Sequence, residues 1–379
     1  MAETVSVQSA APRVMFVPVS GPSGTGELSR CLIVADEVAR RSPTAAIAFV
    51  VHHHVARAVP AQYRLYALDD RPTRRTKAVI AALREFRPGV AVFDGAGRVA
   101  QLRAARRLGC RTVFVSSRPS GRRKLFRWRR LRQLDEGWLA QPAFLEPPLG
   151  AAERLKLSCA RQVTLRLVGP IFESPNAARR DALLGAMALE KDRYVVFCAG
   201  GGGSDPRRQR AAAACLGAAG VLSRAAGLRS VVIAGKVPDS SASPAGVIVV
   251  ESLAHGELMD LLSSARLAIT NGGSLLSQAT ALGTVCIAVP VARDQPERIA
   301  AYVRRGLAVA GVADPEALAT TARALLESET ERTKLRERLA AANLRNGLGL
   351  AVDALAGLLA GVRRGTGRTD SRDVSGQIV

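Results

Sequence analysis

At 379 residues the chain is longer than one hydrophobic core usually serves, so two domains are expected. Hydrophobic residues make up 48% and charged residues 23%, an ordinary globular balance, and no apolar run is long enough to span a bilayer. The net charge of +22 is lopsided: residues 1–180 carry +18, and residues 71–132 hold 19 basic against 2 acidic side chains. That half is expected to meet something anionic, whether membrane, polyanion or nucleic acid.

The first residues, MAETVSVQSAAPR, lack the basic start and apolar stretch of a secretory signal, so a cytoplasmic chain is expected. VMFVPV (14–19) reads as a buried strand. After it come the loop SGPSGTGE and a helix whose apolar spacing runs through Leu28, Cys31, Leu32, Ala35 and Val38. Further strands are expected at 45–51, 89–93, 112–115, 138–140 and 163–168, with helices at 78–86 and 99–108. GPIFESP (169–175) reads as an interdomain linker. The pattern then restarts, with strands at 194–199, 230–234, 247–250, 267–270 and 285–289 and helices at 208–226, 257–264 and 275–282. Three helical stretches follow between 315 and 361, and residues 362–379 read as disordered. Such alternation argues for an α/β chain of two Rossmann-like domains, 12–170 and 171–361. The cysteines at 31, 110, 159, 198, 215 and 286 form no CxxC and several sit in apolar runs, so buried thiols are expected.

Each half carries a glycine loop between a strand and a helix, the arrangement that presents backbone N–H groups to phosphate. The first, Gly21-Pro-Ser-Gly-Thr-Gly26-Glu27-Leu28, has P-loop spacing but places Glu27 and Leu28 where a P-loop needs Lys and Ser/Thr, which argues against an NTPase. A dinucleotide site needs an acidic residue at the end of the second strand, and this chain has His52-His53-His54 there instead. Consecutive histidines in extended chain point to alternating faces, so an exposed loop is expected and no metal. Asp69-Asp70 lacks the spacing of a D-x-D metal motif.

In the second half, Ile269-Thr-Asn-Gly-Gly-Ser-Leu-Leu-Ser-Gln278, then Asp294-Gln295, then Arg304-Arg-Gly-Leu-Ala308, resembles the donor-site signature of GT-B glycosyltransferases. The resemblance covers about forty residues. It implies two Rossmann-like domains with parallel sheets facing a central cleft, a nucleotide-sugar donor in the C-terminal half and no cofactor. Gly272, Gly273 and Ser274, with Leu275, would place N–H groups and a positive helix end against a diphosphate. Gln278, one turn on, would reach the ribose, and Asp294 and Gln295 would hold sugar hydroxyls. By weaker carry-over, Gly201, Gly202 and Ser204 would line the cleft and Leu253 or Leu258 the base pocket. Departures are Gln278, where many relatives carry Glu, and Thr284, where proline is usual. A purely structural glycine turn in a Rossmann repeat is the bland alternative.

Gly24-Thr-Gly26-Glu27-Leu-Ser-Arg30-Cys31-Leu32 looks like the G-x-G-H-x-x-R-C-L stretch of the UDP-sugar hydrolase of pseudaminic acid biosynthesis. Less closely, it resembles the glycine loop of the lipid-linked N-acetylglucosaminyltransferase of peptidoglycan synthesis. Both commonly have His where this chain has Glu27. Glu27 is therefore either a general base acting on an acceptor hydroxyl or a carboxylate stabilised at a helix N-terminus. Asp94, at the end of the strand 89–93, is either a second catalytic group or a loop cap.

In the basic stretch 118–134, Leu125, Trp128, Leu131 and Leu134 recur at helical spacing with arginines between. That suits a helix on an anionic membrane, or beside a lipid-linked acceptor, and equally one packed on its own sheet. The leading expectation is a metal-independent glycosyltransferase acting on an envelope, lipid-linked or polysaccharide acceptor, cytoplasmic or peripheral on the inner face of the membrane. The alternatives are a nucleotide-sugar hydrolase and a non-catalytic polyanion-binding protein. Aromatic residues are only 4%, too few for stacking surfaces, so nucleic acid is not an expected partner.

Overall fold

A computed structural model describes residues 11–21, 24–199, 205–226, 228–235 and 244–364. Gly201, Gly202 and Ser204 lie outside the described residues, as do residues 365–379 of the expected tail; 362–364 instead end a helix, Leu348–Arg364.

The first sheet has seven parallel strands: β1 (Arg13–Pro18), β2 (Ala46–His52), β3 (Arg64–Leu68), β4 (Val90–Asp94), β5 (Arg111–Ser116), β6 (Glu136–Leu139) and β7 (Thr164–Leu167). Their order is β3-β2-β1-β4-β5-β6-β7. Six strands form the second sheet: β8 (Tyr194–Cys198), β9 (Arg229–Ile233), β10 (Val247–Val250), β11 (Leu267–Asn271), β12 (Cys286–Val289) and β13 (Val309–Ala310). They are ordered β10-β9-β8-β11-β12-β13, again all parallel. The central strands are buried on both faces, as β4 and β8 are along their whole length, which is why they read as unbroken apolar runs. In each sheet the order reverses beside the first strand, between β1 and β4 and between β8 and β11. A crevice opens at such a reversal, at the carboxyl ends of the strands. Gly21, Gly24 and Gly26 after β1, and Gly272 and Gly273 after β11, stand at those two places.

The domain boundary at the C-terminal end needs correction. Helix Leu348–Arg364 does not belong to the second domain. Leu348, Ala351, Val352 and Leu355 are buried in the core of the first, among Val14, Phe16, Val34 and Val92. Asn346 begins the return: its Nδ2 donates to the Phe172 carbonyl at 2.7 Å. Asp353 then pairs with Arg41 at 2.7 Å.

The amphipathic helix expected over 118–134 is also corrected. The chain forms two short helices, Pro119–Leu125 and Trp128–Leu131. Leu125, Leu131 and Leu134 are fully buried in the first domain's core, leaving only Trp128 exposed. Arg122 and Arg130 are buried too, Arg122 between Glu146 and Glu153 and Arg130 donating to the carbonyl of Gly97. No helix among the described residues is long and apolar enough to cross a membrane.

Candidate active-site cleft

The two sheets present their carboxyl edges to a cleft of about 500 Å³ lined by both domains. On the first domain's wall, just after β1, Gly21 and Gly24 exchange backbone hydrogen bonds of 3.1 Å. Gly26 then opens helix Gly26–Arg41 with Glu27 in its first turn. Ser20 fixes this carboxylate: its hydroxyl donates to Glu27 Oε2 at 3.2 Å while accepting from the amide of Leu28 at 2.9 Å. One turn further on, Arg30 lines the cleft.

Asp94 sits beneath Arg30 and does not line the cleft. It is 1% exposed and accepts two bonds from the Arg30 guanidinium, at 2.7 and 2.8 Å. Burial pushes the Asp94 carboxyl up and the adjacent guanidinium opposes this, while the Arg30 guanidinium is held more firmly protonated by the carboxylate. Asp94 therefore orients a cleft arginine and does not itself face the cleft.

The opposite wall is the start of helix Ser274–Ala281. Here the expectation is refined. The amide of Gly273 donates to Asn271 Oδ1 at 2.7 Å, and Gly272 faces Ile299, where a Cβ would lie 2.6 Å from Cγ1. Ser274 and Leu275 line the cleft and open the helix, where first-turn amides have no acceptor within the helix. Gln278 lines the cleft, but its Nε2 is donated to the carbonyl of Ile171 in the linker at 2.9 Å, so it clamps the interdomain connection. Gln295 Oε1 accepts from the Val291 amide at 2.7 Å, bracing the loop after β12. Leu258 lines the cleft; Leu253 packs in the second domain's core outside it. Thr284, standing where proline is the usual residue, donates its hydroxyl to the Leu262 carbonyl at 2.7 Å.

Several cleft-lining residues escape the sequence reading. Arg298, one turn after Asp294, crosses the cleft: its Nη2 donates to the Ser117 carbonyl at 3.2 Å and lies 3.7 Å from Asp294 Oδ2. Burial lowers its affinity for the proton, against the pull of Asp294. From the other domain, Arg118 stands between Glu27 at 3.7 Å and Asp294 at 3.8 Å. Arg71 and Arg208 complete five arginines on the cleft wall, against the carboxylates Glu27, Asp205 and Asp294. His255 also lines the cleft, its Nε2 buried without a hydrogen bond among the described residues, and burial lowers its pKa to about 4. Arg118 is flagged in the sequence only as the first residue of the basic stretch, and among the others only Arg298, by its i,i+4 spacing from Asp294, carries a local signal.

The histidines depart from expectation. Because the chain turns into a short 3-10 helix at His53, the three rings gather instead of alternating, with centroids 4.2 to 4.8 Å apart. His52 Nδ1 already accepts from the His54 amide at 3.1 Å, so that lone pair is committed.

No protein-family profile matches the sequence, and no curated relative does. Solved structures do. UGT2 of Phytolacca americana, complexed with UDP-2fluoro-glucose and pterostilbene, matches with a TM-score of 0.64 at 14% identity, over 92% of this chain and 100% of that one. The spinosyn forosaminyltransferase SpnP gives 0.62 at 16% over 93% and 100%. The glycotransferase of kitacinnamycin gives 0.59 at 17%, also over 93% and 100%. The chain has the GT-B fold. In this GT-B chain the crossing contacts of Arg118, Gln278 and Arg298 span the cleft or its linker, so the two Rossmann-like halves are tied at the site itself. Chemically, the cleft combines a fixed carboxylate on one wall, first-turn amides on the other and a surplus of guanidinium groups between them. That combination suits an anionic ligand placed beside a proton acceptor.

Proposed function

We propose that the protein is a glycosyltransferase that moves a sugar from a nucleotide diphosphate donor, a UDP-sugar favoured, to an acceptor hydroxyl. The observation that carries this reading is the opposition of Glu27 to the helix start at Ser274 and Leu275 across one arginine-rich cleft. Neighbours of the same fold support it, among them one complexed with UDP-2fluoro-glucose. The diphosphate would rest on the helix start and the arginines, which supply the counter-charge that makes a metal unnecessary. Glu27, oriented by Ser20, would take the acceptor's proton as that oxygen bonds to the anomeric carbon. The bond from that carbon to the diphosphate oxygen breaks, and the nucleoside diphosphate leaves with the electron pair. Asp294 and Gln295, which line the same cleft, would meet the sugar hydroxyls.

The test is to incubate the protein with UDP-, GDP- and dTDP-sugars, with and without acceptors, and to measure binding by thermal shift, which must rise with any ligand of the folded state. Glu27→Gln is expected to keep nucleotide binding and lower turnover about a hundredfold to ten-thousandfold. Unchanged turnover removes the base assignment, and no stabilisation by any nucleotide removes the donor site. Rapid sugar release without acceptor would instead favour the hydrolase. An envelope or lipid-linked acceptor, met peripherally at an anionic membrane, is supported by the exposed Arg123, Arg127, Arg129 and Arg132 around Trp128. Failure to sediment with anionic vesicles at low salt would remove that part alone.

A further inference from the structure

A second cavity, of about 610 Å³, is also built from both domains and shares Pro170 of the linker with the cleft. Its chemistry is unlike the cleft's. Phe144, Leu167, Val168, Leu307 and Leu344 give it an apolar bed, and Leu167 remains 43% exposed on the edge strand β7. Phe144 is held in place from two sides. The Tyr302 ring meets it edge-on at 4.9 Å, and the Arg305 guanidinium lies over it at 4.8 Å. Arg305, Arg338 and Arg345 line the same cavity, and among the described residues no Asp or Glu does. Arg338 is laid across Gly306, a position with φ +64° where any Cβ would overlap the guanidinium. A glycine there gives the arginine its path along the cavity wall.

An apolar bed of drug-ligand size with three cations and no lining carboxylate complements one kind of molecule. We propose that this cavity binds a single-chain amphiphile: an alkyl or isoprenoid-like chain on the bed, with an anionic phosphate or carboxylate head among Arg305, Arg338 and Arg345. A nucleotide is a poor fit, since the lining offers a base and ribose few polar side chains. A free inorganic anion would leave the bed uncovered. The assignment is independent of the donor reading of the cleft.

Titration calorimetry of the full chain with octyl phosphate and decyl phosphate, below micelle-forming concentrations, tests it. Each buried methylene is worth about fourfold in affinity, so decyl phosphate should bind with one-to-one stoichiometry and about 15-fold tighter than octyl phosphate. Decyl glucoside, with the same chain and no charge, should bind at least tenfold more weakly, as should inorganic phosphate. Arg338→Glu/Arg345→Glu, at two exposed positions, should lower decyl phosphate affinity at least tenfold with the thermal midpoint unchanged. Leu167→Glu gives a second route to the same loss through the bed. Saturating UDP should leave the titration unaltered. The proposal falls if affinity is indifferent to chain length, if the neutral amphiphile binds as well, or if both variants bind like the parent. Displacement by UDP also overturns it, by placing the probe in the cleft.

Discussion

Replacing Gly273 by alanine probes the helix start on which the donor reading rests. A Cβ there would lie 2.6 Å from Asn271 Oδ1 and 3.3 Å from Gln295 Nε2. Asn271 must therefore swing away and give up its 2.7 Å bond to the Gly273 amide. Losing that bond costs about 1 kcal/mol and relieving the overlap about 1–3 kcal/mol, so Gly273→Ala should destabilise the second domain by about 2–4 kcal/mol. Gly283 lies just beyond the other end of the same helix, with φ +78° and no atom within 4 Å of the place a methyl would take. Gly283→Ala should cost only about 1–2 kcal/mol of left-handed strain. Thermal unfolding reads the stabilities, and calorimetry with UDP reads the site. Gly273→Ala should lose at least tenfold in UDP affinity, while Gly283→Ala should keep it within twofold. If Gly273→Ala binds UDP as tightly as the parent, the amides of Ser274 and Leu275 do not hold the diphosphate.

Asp94→Leu alone should cost about 3–5 kcal/mol in thermal unfolding, because it strands the buried Arg30, and adding Arg30→Met should restore most of it. A double variant as damaged as the single one would refute a paired role. Gln278→Glu brings in the residue common among relatives but has no N–H for the Ile171 carbonyl; a loss of about 1–3 kcal/mol is expected. Stability unchanged in that variant would show that the linker bond contributes nothing. His255, whose folded pKa of about 4 lies below its unfolded value near 6.5, remains unprotonated where the unfolded chain takes up a proton. Stability should therefore fall as pH drops from about 6.5 to about 4, by about 3 kcal/mol in total, and His255→Asn should flatten that part of the pH profile.

The sequence shows the alternating strands and helices of both halves because central parallel strands are apolar along their length. It does not show β3, whose residues Arg64–Leu68 are mostly exposed at a sheet edge and form no apolar run. Nor does it show β13, only two residues long. Helix Gln295–Arg304 is likewise hidden, its start lying behind Asp294 and Pro296 in what reads as a polar loop. Glu27, Ser274 and Gln278 are legible as cleft residues because each follows a glycine loop at a strand end. Their partners are not. Whether Gln278 touches a ribose or a linker carbonyl depends on where residue 171 passes, and whether Arg118 belongs to a surface patch or to the cleft depends on a domain about 170 residues away in the chain. Such pairings are tertiary facts, without local periodicity to announce them.

The return of residues 348–364 to the first domain sets an order of events during synthesis. Val14, Phe16, Val34 and Val92 are made before the second domain, yet the surface that covers them is made only after it. Until residues 348–359 have been made, the nascent first domain exposes an apolar strip, and any chain cut short between the second domain and this helix keeps it exposed. Truncated products should therefore aggregate even though each sheet is complete.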